Sequence, residues 1–281
     1  MRIDFHTHTT ASDGALDPAV LVERAAAEGI SMLAITDHDT VAGFLAVAPL
    51  AAPGLNLVPG VELSCQWGGA TIHILGLGID CDHPVMVEGL RHMAQARQER
   101  TAIIARRLAS KGFEGALEGA LAVAGSSQPG RPHFARWMME KGHVADFSEA
   151  FDRYLGRGKV GDVKACWPEL PQVVDWITQS GGVAVVAHPL KYRFTHMKLR
   201  RLLAAFKTAG GQGIEVASGR QAADQAAQLQ SLAVHYELEV SVGSDFHQDA
   251  AYGAPLGLES APFEHLAVVW ERWRTKGFAQ P

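Results

Sequence analysis

The chain has 281 residues, 47% of them hydrophobic and 20% charged, and a formal net charge of −5 with histidine neutral. That length suits one α/β barrel with an insertion or two smaller domains, and the composition excludes a disordered chain, a collagen-like repeat and a disulfide scaffold. The acidic balance argues against a protein that coats nucleic acid, while leaving room for a local basic patch that holds a phosphorylated ligand.

Taken from its start, the chain reaches Asp4 and His6 with no apolar segment behind a basic stretch, so no secretory signal is expected and the cytoplasm is the expected compartment. Cys65, Cys81 and Cys166 are too scattered for a disulfide framework or a CxxC zinc site, which fits a reducing compartment. Arg2 to Phe5 is the first of seven short apolar runs that read as strands. The others are Met32 to Thr36, Leu55 to Val61, Thr71 to Leu77, Val183 to Ala187, Gly213 to Val216 and Glu239 to Gly243. Stretches with helical spacing lie between them, and that alternation predicts a parallel sheet with crossover helices. Pro18 to Glu28, behind Asp17 as N-cap, is the first such helix. Thr40 to Val61 carries no charge, yet Pro49, Pro53 and Pro59 interrupt it, so it reads as helix end, loop and buried strand and not as a membrane span.

The rhythm breaks between residues 82 and 168. Val85 to Lys111 reads as a long helix, Gly- and Ala-rich turns follow, and Pro132 to Lys141 reads as a second helix. Gly130-Arg131-Pro132 and Gly156-Arg157-Gly158-Lys159 read as positively charged loops. The expected division is a barrel domain formed by residues 1–81 and 169–281, with an inserted helical subdomain over residues 82–168.

The thirteen histidines are the anomaly in the composition. His6 and His8 stand two apart after the first strand, so extended geometry points both rings to one side. Asp37-His38-Asp39 ends the second strand, Glu62 ends the third, His73 lies in the fourth, His188 ends the fifth, and Asp245-Phe246-His247 follows the seventh. In an α/β barrel the strand ends meet on one face. Nine candidate metal ligands converge there: His6, His8, Asp13, His38, Glu62, His73, His188, Asp245 and His247. That number exceeds the needs of a single ion and suits two or three divalent ions. Mixed imidazole and carboxylate ligation without thiolate points to manganese, iron or zinc, manganese first.

The segments His6-Thr-His8, Asp13-Gly14, Ile35-Thr36-Asp37-His38-Asp39, Gly60-Val61-Glu62, His188-Pro189 and Gly243-Ser244-Asp245-Phe246-His247 resemble, in order, the motifs of the PHP (polymerase and histidinol phosphatase) family. The chain is most similar to the subgroup with a helical insertion between the fourth and fifth strands, which includes nucleoside 3′,5′-bisphosphate phosphatases and 5′-3′ exoribonucleases. The resemblance implies a distorted (β/α)7 barrel. It also implies one metal on His6, His8, Glu62 and Asp245, a second on Asp13, His38 and His247, and a third on His73, His188 and bridging Glu62. Asp13, His38, Glu62 and Asp245 then hold the catalytic ions. Many relatives have His where this chain has Asp13.

Three carboxylates against two or three divalent ions leave a net charge between about +1 and +3, which suits a phosphate dianion. Water activated there could attack phosphorus without a protein nucleophile, and no GxSxG elbow or P-loop is found. Removal of the 3′-phosphate from a nucleoside 3′,5′-bisphosphate such as pAp is the expected activity. The alternatives are exoribonuclease action on short 5′-phosphorylated RNA, histidinol-phosphate hydrolysis and a non-catalytic metal-binding module. A small nucleotide or short RNA is the expected partner, with no membrane and no obligate protein. Arg97, Arg100 and Arg131 are the candidates for binding the second phosphate, while Arg106, Arg107 and Arg136 read as a solvated face. His133 and His196 are weak candidates for a general acid, and Phe134 or Trp137 for covering a base.

Overall fold

Short, near-continuous apolar runs form strands buried on both faces, the burial that a barrel wrapped in helices requires. A computed structural model of the chain describes residues 1–49, 54–164, 166–249 and 254–274. The strands are β1 (Arg2–Thr7), β2 (Ile30–Ile35), β3 (Asn56–Trp67), β4 (Ala70–Leu77), β5 (Val183–Val186), β6 (Gly213–Ser218), β7 (Glu239–Gly243) and the short β8 (Leu258–Glu259). The helices are α1 (Pro18–Ala27), α2 (Ala42–Val47), α3 (Pro84–Ala109), α4 (Ala116–Ala124), α5 (Arg131–Glu140), α6 (Phe147–Ala150), α7 (Leu170–Gln179), α8 (His196–Thr208), α9 (Ala223–His235) and α10 (Glu271–Arg274).

The strands form one sheet in the order β7-β6-β5-β4-β3-β2-β1-β8. Beyond β7, the backbone of Asp245 and Phe246 bonds to that of His6 and His8 at 2.8 and 2.9 Å. β8 takes the other end of β1's edge, pairing with Arg2 and Ile3, so the sheet closes almost completely into a distorted barrel. The first helix starts where the sequence places it, with the Asp17 carboxylate accepting from Ala19 N at 2.9 Å. Among the described residues no helix is long and apolar enough to cross a membrane. Residues 50–53 of the uncharged stretch, Pro53 included, lie outside the described residues.

Besides the short β8, which pairs antiparallel with β1, the sheet departs from the all-parallel arrangement at β4. β4 runs antiparallel to both β3 and β5. β3 does not stop at Val61 but continues to Trp67, and Gly68 and Gly69 turn it back into β4. Both glycines have positive φ, 54° and 73°, the requirement of a two-residue type I′ hairpin. Ser64 therefore pairs with His73, and His73 enters the site from a returning strand.

Between β4 and β5 the chain leaves the sheet. α3 spans two cores: Met86, Met93 and Ala96 pack with the barrel, whereas Ile104, Ala105 and Leu108 join Ala116, Ala120, Phe134, Met138 and Leu155 in a second cluster. α7 then packs its apolar face, Val173, Val174 and Ile177, back onto the barrel.

Candidate metal centre

The nine histidines and acids singled out by their strand-end positions all meet at one mouth of the barrel. They fall into overlapping groups close enough to share an ion: His8, Asp13, His38 and His247; His6, His8 and Asp245; His6, Glu62 and His188; and His38, Glu62 and His73. Glu62, fully buried, is the hub. Its Oε2 lies 3.3 Å from the Nε2 atoms of both His6 and His8 and 2.9 Å from His38 Nδ1. Its Oε1 lies 3.0 Å from His73 Nδ1 and 2.9 Å from His188 Nε2. Asp245 Oδ1 lies 3.4 and 3.2 Å from the same two Nε2 atoms, and Asp13 approaches His247 at 3.4 Å.

Close strand packing makes this mouth possible. A Cβ on Gly243 would stand 2.3 Å from His6 Cβ, so only glycine lets β7 come this near β1. Asp245 and His188 leave their strands with φ of 54° and 28°, and Asp39 does so with 57°. For side chains other than glycine that region is sparsely populated, and strain of this kind gathers at functional sites.

The donor set fits divalent cations. His6 Nε2, both ring nitrogens of His8, His38 Nδ1 and Glu62 Oε2 are buried with no hydrogen-bond partner among the described residues. His6 Nδ1 faces Glu215 Oε1 at 3.0 Å; a carboxylate accepts, so the proton sits on Nδ1 and the Nε2 lone pair points at carboxylate oxygens. Lone pairs facing lone pairs in a buried site call for a cation between them. Burial, then neighbouring His247, pushes His8 down to about 3, and burial holds His73 at about 4 against the pull of Glu62. Neutral imidazole is the form that ligates. Burial would raise Glu62, but His38, His6 and His73 carry it well below the usual carboxylate range.

Sequence reasoning missed the groups behind the cluster. Glu215, fully buried in β6, orients His6 and accepts from His188 N at 2.6 Å; a lone acid in the apolar run Gly-Ile-Glu-Val was the available signal. Asp37 accepts from Thr9 N, Thr9 Oγ1 and Ser12 Oγ at 2.6–2.8 Å, pinning the loop that carries Asp13. Lys191 bonds to Asp245.

Arg97, Arg100 and Arg131 come together beside the cluster. A cavity of about 120 Å³ is lined by all three with Asp13, His38, His73, Phe151 and Trp167. Arg97 bonds through Nε to Asp39 at 2.6 Å, Arg100 to the carbonyl of Val163 at 2.9 Å and Arg131 to that of Leu155 at 3.1 Å. Arg97 and Arg100 stack over Trp167, whose indole N–H has no partner among the described residues. Burial, followed by the charges of Arg131 and Arg97, lowers the pKa of Arg100, as expected where cations crowd together.

The weaker candidates stand apart from the cluster. Phe134 and Trp137 are packed in the second core and do not line the arginine cavity, since α5 turns its apolar face inward; Phe151 and Trp167 stand there instead. Neither weak general-acid candidate belongs to the cluster. His133 accepts through Nδ1 from Gly130 N at 3.0 Å as an N-terminal cap, and His196 lines a separate cleft between α8 and α9.

The model of the PHP domain matches residues 4–157. A 5′-3′ exoribonuclease of Escherichia coli is 42% identical over 96% of this chain and 93% of its own length. The chain belongs to the PHP domain family. A 3′,5′-nucleoside bisphosphate phosphatase of Chromobacterium violaceum is 40% identical over 91% of this chain and 90% of its own. In fold, the chain is similar to a solved amidohydrolase of Chromobacterium violaceum with bound sulfate and no metal. Their TM-score is 0.84 at 39% identity, covering 92% of each chain.

Proposed function

We propose that this PHP protein is a metal-dependent phosphatase that removes the 3′-phosphate from nucleoside 3′,5′-bisphosphates, converting pAp to AMP and phosphate. The observation that carries the reading is the arginine-lined cavity opening directly onto the histidine and carboxylate cluster. A bisphosphate has one phosphate for each. The bisphosphate phosphatase from Chromobacterium violaceum supports the same choice.

His6, His8, Glu62 and Asp245 would hold one divalent ion, Asp13, His38 and His247 a second, and His73, His188 and Glu62 a third. Manganese is the first choice and iron or zinc the alternatives. When bound, such ions supply an acidic water and charge neutralisation at the phosphoryl oxygens. The protein's own groups bind and orient. Arg97, Arg100 and Arg131 offer guanidinium N–H groups to the phosphate that is not cleaved, Trp167 and Phe151 wall that pocket, and Glu215 fixes the ring of His6. Residues 82–168 act as an inserted subdomain that brings Arg97, Arg100 and Arg131 to the mouth of a barrel formed by residues 1–81 and 169–281. The enzyme works in the cytoplasm on small nucleotides.

A second reading, 5′-3′ exoribonuclease action on short 5′-phosphorylated RNA, is favoured by the Escherichia coli relative and uses the same cavity for the 5′-phosphate. Histidinol phosphate has a single phosphate and leaves three crowded guanidiniums without an anion.

Arg131→Ala tests the proposal. Loss of one charge-assisted contact, about 1.5–3 kcal/mol, lowers kcat/KM for pAp by about 10- to 150-fold. Hydrolysis of 3′-AMP, which lacks the second phosphate, starts low and falls little further. Equal losses on the two substrates would assign Arg131 to the reacting phosphate or to the fold, and the bisphosphate reading would lose its support.

A further inference from the structure

A second basic cleft, on a different side of the cluster, is not used by a bisphosphate. It encloses about 340 Å³ and is lined by His188, Lys191, Arg193, Ser218, Arg220 and Gln225, among others. That volume lies within the ~300–1,000 Å³ usual for ligand sites, whereas the arginine cavity has about 120 Å³. The two share no lining residue, but each borders the cluster: one through Asp13, His38 and His73, the other through His188.

Three cations border the cleft, Lys191 bonded to Asp245 and, farther from the cluster acids, Arg193 and Arg220. Arg193 and Arg220 are exposed. The hydroxyl of Ser218, in a residue only 8% exposed, has no hydrogen-bond partner. Gln225 lies in the first turn of α9, whose N-terminal amides add favourable potential for an anion. A buried hydroxyl with no partner among the described residues, beside exposed guanidiniums, has the donor chemistry that a phosphodiester takes.

We propose that this cleft binds the polynucleotide chain on the 3′ side of the scissile phosphate. The inference rests on the second reading of the proposed function, cleavage from the 5′ end of RNA, and deepens it by giving the outgoing chain a site. In pAp and in 5′-phosphorylated RNA the same bond breaks: water oxygen joins phosphorus, the bond to the ribose 3′ oxygen opens, and that oxygen leaves as a hydroxyl with a proton. With pAp the phosphate departs alone. With RNA it departs as the new 5′-phosphate of the shortened chain, which needs a place to lie.

The test compares the wild-type holoenzyme with the Arg193→Ala/Arg220→Ala double variant on pAp and on a 5′-phosphorylated tetraribonucleotide. The double variant should raise KM for the tetranucleotide by about 10-fold or more, leaving pAp kinetics unchanged. Each single-strand phosphate contact contributes about 0.7 to the salt slope, so the slope for the tetranucleotide should fall by about 1.4. Unchanged tetranucleotide kinetics, equal losses on both substrates, or a wild type that turns over pAp and leaves the tetranucleotide intact would overturn the cleft. A wild type that cuts the tetranucleotide and ignores pAp would overturn the bisphosphate reading alone.

Discussion

The metal cluster and the arginine cavity are neighbours built on opposite principles. In the cluster, ring nitrogens and carboxylate oxygens crowd one another, and several buried ring nitrogens have no hydrogen-bond partner among the described residues. In the cavity, donors crowd one another, each arginine held by a carbonyl, Arg97 by a carboxylate as well, and each by an aromatic face. The donor set of one region suits cations and that of the other suits an anion. On the proposed function, the difference separates two tasks: the cluster acts on whatever phosphate reaches it, and the cavity decides which molecule brings one.

The strongest way to break that division is Glu62→Gln. An amide cannot serve as a charged hub between two sets of imidazoles, and several kcal/mol of charge stabilisation disappear, so turnover on every substrate should fall by about 10³-fold or more. Circular dichroism should show the fold retained. A loss confined to bisphosphates would merge the two regions into one recognition site.

Glu215→Gln sharpens the comparison from behind the cluster. An amide no longer fixes the tautomer of His6 with full strength, and outer partners of this kind are worth about 10–100-fold in metal affinity. Calorimetric titration with manganese should show that weakening, while sulfate binding to metal-free protein stays as it was. If sulfate affinity falls in step, the two regions are not independent. Trp167→Phe is the mildest change. It keeps the aromatic wall and removes the unpartnered N–H, one neutral hydrogen bond of about 0.5–1.5 kcal/mol, so KM for pAp should rise by about 2- to 12-fold. No change would remove the indole from the anion site.

Much of this was legible in the sequence because strand ends are regular. Two residues apart on an extended segment face the same way, which joined His6 to His8. Barrel geometry gathers strand termini, which brought in His38, Glu62, His188 and Asp245. His73 was also found, but its route was not: the direction of β4 depends on a Gly-Gly turn six residues past Glu62, and an apolar run reads the same in either direction. Glu215 was hidden because a strand interior normally means packing, and its ion-pair partner lies 209 residues away. The arginines presented a third difficulty. Helical spacing shows that Arg97 and Arg100 share a face, but whether that face meets water or a cavity is decided by Trp167 and by the loop at Pro129 and Gly130, distant in the chain. Phe134 and Trp137 stayed weak candidates for the same reason, since proximity to Arg131 in sequence says nothing about which side of α5 is covered.

Asp39, His188 and Asp245 each follow a strand and each adopt a left-handed backbone that L-residues other than glycine enter at a cost of about 1–3 kcal/mol. Glycine at any of these points would relax the chain. It would also delete the Arg97 counterion, a group on Glu62, or the acid shared by His6 and His8. The mouth of the barrel is therefore the place where thermal stability and activity pull the sequence in opposite directions. Selection for heat resistance alone would reach inactive protein by a single change at any of the three.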